Sequence, residues 1–353
     1  MTDAGGAAAA TPAGTVMTVL GSVSARTLGI ALIHEHLRMD ATPLLALHGG
    51  SGGPTTPFDL AAASEARWDP ASHPDNYRFT RDDLVAEELR GLAALGIGCV
   101  VDCTPPALGR SPRALEGIAR ATGIHVVMGT GFYLAPTHPR GLAGASVAAI
   151  ADALIGEIRD GDRVTGIRPG IIGEIGTGDP PDPAELRVLE ACAIAAWSTG
   201  LAVSVHLHPW GRTGMTVVDR LGAIAPERVI LGHCSTAWDD LPYLRRLLGT
   251  GVTLGFDLFG FDHSLLGIGR RPPADRDVVG TVAQLVADGF ADRIVLSQDI
   301  GVRTRLGAYG GWGYGHLVRH VVPLLRDAGC SVDDLERMLV RNPARLLAIG
   351  GEP

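Results

Sequence analysis

The sequence predicts an α/β fold, a (β/α)8 TIM barrel with a long insertion after its first strand. Three observations predict it. Short apolar, β-branched runs recur eight times, each run is followed by a longer helical-looking segment, and no Gly-x-Gly-x-x-Gly follows the first run. Eight strand–helix units call for a parallel sheet closed on itself, and the missing glycine fingerprint disfavours an open doubly wound sheet. A chain of 353 residues has room for one barrel of about 250 residues plus insertions.

In chain order, strands are expected at 30–33, 98–102, 125–129, 170–173, 202–205, 228–232, 252–256 and 293–297. Amphipathic stretches between them predict helices at 81–95, 111–121, 146–159, 183–198, 216–224, 238–248 and 277–288. Pro183 suits a helix start, where its missing N–H costs nothing, and Gly123, Gly200 and Gly251 follow expected helix ends. Residues 41–80 depart from the repeat: they are rich in Gly, Pro, Ser and Ala, with Phe58, Trp68 and Tyr77 as isolated anchors. This insertion follows the first strand, on the face where barrel enzymes work, so it reads as a lid or a solvated excursion. Residues 1–14 read as a flexible Ala/Gly-rich tail, without the basic and long apolar regions of an export signal, and 15–353 as one barrel domain.

Composition narrows the partners. With 46% hydrophobic and 19% charged residues, the chain can bury a sizeable core. A net charge of -8 with no basic run argues against nucleic acid and anionic membrane surfaces. Five scattered cysteines (Cys99, Cys103, Cys192, Cys234, Cys330) fit neither a disulfide framework nor a zinc finger, so reduced thiols in the cytoplasm are expected. No stretch is long and apolar enough to span a bilayer. A small-molecule substrate is the expected partner.

His34-Glu35-His36 closes the first apolar run. Residues i and i+2 of a strand share a face, so both imidazoles project together, as a divalent metal requires. Glu174 ends the fourth run, His206 the fifth, His233 the sixth and Asp299 the eighth. Singly, each has an ordinary explanation: a paired carboxylate, a core histidine, a helix cap. Together, six ligand-type side chains at five strand ends point to a metal centre. Two neighbouring divalent ions need an anionic bridge, and a hydroxide held between them is nucleophilic at neutral pH. Asp299 would bind metal and serve as general base and acid. Imidazole and carboxylate donors suit zinc, with manganese, cobalt and iron as alternatives.

These residues resemble the binuclear site of the phosphotriesterase family in the amidohydrolase superfamily. The resemblance runs from Thr18-Val19-Leu20-Gly21 to Asn342-Pro343-Ala344-Arg345. Phosphotriesterases and related lactonases bridge their metals with a carboxylated lysine on the fourth strand, where this chain has Glu174. Gly131-Phe132-Tyr133 with Thr137-His138, Asp257-Leu258-Phe259-Gly260, Thr304-Arg305-Leu306 and Tyr309 to His316 are similar to the glutamate-bridged, phosphotriesterase-related branch. That branch includes the N-acetyltaurine hydrolase of animals. Lactonases carry an arginine where this chain has Leu258. The resemblance implies a homodimer and hydrolysis of a small carboxylic amide or ester, an N-acylated acid first. The alternatives are a lactonase or phosphotriesterase, and a non-catalytic metal-stabilised binding barrel. Arg303 and Arg305 are expected to bind an anionic substrate group, and Tyr133 and Trp312 to line the pocket. His208 stays outside the expected metal set, and Asp257 is a candidate partner for His233.

Overall fold

The computed structural model describes residues 14–50, 56–222, 224–261, 269 and 271–350. Most of the expected tail, residues 1–13, lies outside the described residues, as do 51–55 of the insertion. Eight parallel strands form one sheet: β1 (Ile30–Glu35), β2 (Ile97–Asp102), β3 (His125–Thr130), β4 (Ile171–Gly176), β5 (Val203–His206), β6 (Val229–Leu231), β7 (Thr253–Phe256) and β8 (Ile294–Leu296). They lie side by side in chain order. The last seam, between β8 and β1, is joined by the Asp299 N–H donating to the His34 carbonyl (3.1 Å) and the His34 N–H donating to Ser297 Oγ (3.1 Å).

Two apolar layers hold the barrel. Ala31, Ile33, Cys99, Val101, Val127, Ile171, Ile230 and Val295 fill its interior, and Val16, Leu28, Ala344, Leu346 and Leu347 continue that cluster at the closed end. Leu32, Val100, Val126, Ile172 and Leu254 belong to the larger layer shared with the outer helices. This in/out alternation is the strand period of two. A hairpin, Thr15–Thr18 with Gly21–Ser24, pairs through Thr15 with Ile349 and ties the two ends of the described chain together.

All eight expected strands are present, and the helices shift by a few residues for local reasons. The segment expected as one helix at 81–95 is Asp82–Arg90 followed by a 3-10 turn at Ala93–Leu95. The helix expected at 238–248 starts at Leu241, because the Asp240 side chain caps it by accepting from the Tyr243 N–H. Pro183 does open its helix, behind an Asp182–Glu185 capping box. The described part of the insertion holds a 3-10 turn (Thr42–His48) and a helix (Leu60–Trp68), and its end pairs Arg78–Phe79 with Met39–Asp40.

Candidate metal centre

The site starts from two breaks in strand alternation. On β1, Ala31 and Ile33 face the interior, so an unbroken strand would aim Glu35 inward and His34 and His36 outward. Between Leu32 and Glu35 the register against β2 slips, leaving one extra residue on β1. The same happens on β4, between Ile172 and Ile175 against β5. Each bulge resets the phase, so His34 and His36 from β1 and Glu174 from β4 turn into the barrel mouth. Gly173 makes the second bulge possible: its φ is +145° and a Cβ there would lie 2.6 Å from the Ser204 carbonyl oxygen.

Glu174 sits between two sets of imidazoles. Its Oε1 is 3.4 Å from His36 Nε2. Its Oε2 is 3.1 Å from His206 Nδ1, 3.5 Å from His34 Nε2 and 3.7 Å from His233 Nε2. Donor atoms of His34, His36 and Glu174 lie within 4.8 Å of one another, as do those of Glu174, His206 and His233, and of His34, His233 and Asp299. Asp299 Oδ1 stands 3.1 Å from His36 Nε2 and 3.9 Å from His34 Nε2. All six side chains expected as ligands thus converge: two overlapping three-donor sets share Glu174, and a third brings Asp299 to His34 and His233.

Other groups hold the donors in place. Asp257, at the end of β7, puts Oδ1 3.0 Å from His233 Nδ1 and Oδ2 3.2 Å from His34 Nδ1. One carboxylate therefore orients a histidine from each set, where the sequence suggested His233 alone. Thr104 Oγ1 lies 2.9 Å from His36 Nδ1, and its N–H donates to Asp102. Those contacts engage the ring nitrogens facing away from Glu174 and turn the opposite ones toward the shared donor cluster, where a metal could bind. Neither ring nitrogen of buried His34 makes a hydrogen bond: Nδ1 has only the charged Asp257 oxygen 3.2 Å away, and Nε2 faces Glu174 and Asp299. An orphaned imidazole nitrogen among carboxylates and histidines fits a divalent cation.

Glu35 is fully buried and does not join the donors. It accepts from Ser297 Oγ (2.8 Å), the Gln298 N–H (2.9 Å) and the Ile300 N–H (3.0 Å). It thus grips the chain on both sides of Asp299. Asp299 and His233 occupy the left-handed backbone region (φ 49° and 59°) without being glycines, a conformation costing on the order of 1–3 kcal/mol each. The sequence signal for Glu35 was a carboxylate at an apolar strand end, which burial obliges to be satisfied.

The electrostatics favour a cation. Burial would raise the Glu174 carboxyl, but His34, His206 and His233 around it hold it well below the usual range. Asp299 is held low in the same way by His36 and His34, against burial. Burial pulls the His36 ring down, yet Asp299 and Glu174 against its Nε2 raise it to about 10. His233 is likewise raised, to about 9, chiefly by Asp257. Burial and the neighbouring His233 push His206 down to about 4. The carboxylates rest as anions that draw in either protons or metal.

Above the donors opens a cavity of about 490 Å³. Tyr133 lines it, its hydroxyl 3.1 Å from His206 Nδ1. Leu44, Leu47 and His48 of the insertion and Leu258 of the β7 loop line it too, as does His208, whose Nδ1 is buried without a hydrogen bond. Arg303, Arg305 and Trp312, expected to touch substrate, are not among its lining residues. Arg303 donates twice to the Arg78 carbonyl (3.0 and 2.7 Å) and lies over the Phe58 and Tyr309 rings, fastening the insertion to the β8 loop. Arg305 donates to the carbonyls of Asp299 and Phe259 and stacks on Phe261, 4.0 Å from the ring centre. Trp312 is 52% exposed and packs beside His316 and His320. The guanidinium groups were claimed by backbone carbonyls, which a linear sequence does not show.

The profile of the phosphotriesterase family matches residues 14–347. The chain is 34% identical over 353 residues to the N-acetyltaurine hydrolase of Rattus norvegicus, covering 95% of this chain and 98% of that protein. It also resembles a resiniferatoxin-binding protein from Rhodobacter sphaeroides, with a TM-score of 0.90, 34% identity and coverage of 96% and 97% of the two chains. A phosphotriesterase homology protein from Escherichia coli, solved with phosphate in its active site, aligns with a TM-score of 0.76 and 28% identity over 91% of this chain and 99% of its own. No described helix is long and apolar enough to cross a membrane.

Proposed function

Since this chain belongs to the phosphotriesterase family and is a metal-dependent hydrolase, we propose that it holds two divalent ions, zinc first among the candidates, and cleaves the amide bond of an N-acylated acid. The amide class is supported by the N-acetyltaurine hydrolases, which match nearly end to end. The observation that carries the two-ion reading is Glu174, whose two oxygens face different imidazoles. The sequence contains no lysine, all 30 of its Lys+Arg residues being arginine, so a carboxylated lysine is impossible here.

His34, His36, Glu174 and Asp299 would hold one ion, and Glu174, His206 and His233 the other. When bound, the ions polarise the scissile carbonyl and bring the pKa of a water near neutrality. Asp299 carries the proton. It is kept anionic by its histidine neighbours, and Glu35 and Arg305 fix the chain around it. It accepts a proton from the attacking water and returns it to the leaving nitrogen as the C–N bond breaks, which an unprotonated amine would not allow. Tyr133, beside His206 in the cavity wall, would contact the substrate there.

Elemental analysis of purified protein tests this reading. Wild type is expected to carry two equivalents of metal per chain, and Glu174→Gln close to one, with turnover lost. Trace metal in wild type, with no gain on reconstitution, or full occupancy in Glu174→Gln, overturns it.

A further inference from the structure

The cavity walls divide into two arcs. One is built by the connections after β7, β8, β1 and β2, four consecutive strand ends around the barrel. It presents Leu258 and Phe261, then Val302, then Leu44 and Leu47 with His48 and Tyr77 beside them, then Leu108, so that it is mainly apolar. The other arc, after β4 and β5, carries Asp179, His208 and Trp210. No arginine lines the cavity among the described residues.

We infer that the apolar arc seats a medium-length acyl chain, so that the substrate is an N-acyl compound with an acyl group well beyond acetyl; this rests on the amide reading above. Three observations lead there. The cavity, at about 490 Å³, lies in the range of roughly 300–1,000 Å³ that holds a drug-sized ligand, far more than an acetyl group fills. The arc is contiguous with the donors, since His36, Glu174 and Asp299 line the same space. A carbonyl held there leaves its alkyl chain against leucines, where each added methylene leaves water. Part of the wall is tied down behind its apolar face: Thr304 N–H donates to Asn76 Oδ1 (2.9 Å) and Arg67 to the Tyr309 carbonyl (2.7 Å), binding the insertion to the β8 loop. An arc held in place gives up little entropy when the chain enters.

The experiment is a chain-length series on one amine, from N-acetyl through N-hexanoyl to N-decanoyl glycine, run alongside binding of the matching free carboxylates by calorimetry. Each methylene is expected to raise kcat/KM by up to about fourfold until the arc is full, and carboxylate affinity should climb in parallel. Leu47→Gln and Val302→Trp are expected to lower the decanoyl-to-acetyl ratio at least severalfold. The second shortens the space, and the first replaces apolar wall at a half-exposed position where folding tolerates it. Acetyl as the best substrate, or carboxylate affinity independent of length, overturns the inference. If no amide of any length is cleaved while affinity still rises with length, the amide reading fails and the acyl arc stands.

Discussion

The floor of the cavity and its wall are held together in opposite ways. On the floor, donors come from strand ends, and other polar groups lock the rings and backbone that aim them. Asp257 serves His34 and His233, Thr104 serves His36, and Glu35 grips both flanks of Asp299. In the wall, apolar residues come from connections, and the polar bonds lie behind them, where Arg303 and Asn76 join loop to loop. The floor spends its polar groups on aiming side chains; the wall spends them on placing backbone. Reaction chemistry is thereby tied to the barrel frame, while the choice of substrate is left to segments that can change without disturbing it.

That contrast can be broken by substitutions on either side. Asp299→Asn should have the largest effect, a loss of about 10²–10⁴-fold in kcat, the usual cost of removing a general base. Metal content should stay at or above one equivalent per chain. Steady-state kinetics with elemental analysis checks it, and retained turnover would move proton transfer elsewhere. Asp257→Asn should come next: metal affinity is expected to fall about 10–100-fold, the range for losing an outer partner of a ligating histidine. Chelator competition reads this, and because Asp257 touches one histidine of each set, both ions should weaken. Arg303→Ala should be smallest and should fall on the wall alone. Losing its cation–π contacts and its bonds to Arg78 should raise KM roughly fivefold, equivalent to ~1 kcal/mol, with metal content unchanged. A drop in metal content there would show that floor and wall are not separable.

The barrel, and the convergence of six candidate donors at one mouth, were legible in the sequence because both follow local rules. Strand and helix periods mark the elements, and donors at strand ends fall at one mouth whatever the loops do. The route by which His34, His36 and Glu174 face that mouth was not legible. Alternation from Ile33 or Ile171 points the wrong way, and only one-residue bulges on β1 and β4, visible in the pairing registers, restore it. Arg303 and Arg305 were misread because their partners, the carbonyls of Arg78, Asp299 and Phe259, depend on how two loops cross. Proximity to Asp299 in sequence located Arg305 beside it but not its direction. Glu35 was seen only as the spacer between two histidines, since its four donors arrive from the segment after β8, over 260 residues away.

Glu174 has a consequence for how the centre is assembled. A carboxylated lysine must capture carbon dioxide after synthesis, so its bridge forms at a rate set by dissolved bicarbonate and can be lost again in acid. On the two-ion reading proposed above, a bridge supplied by Glu174 would be encoded in the gene and complete when the chain has folded. Loading the apoprotein then calls for metal alone, and degassed, bicarbonate-free buffer should serve as well as any other.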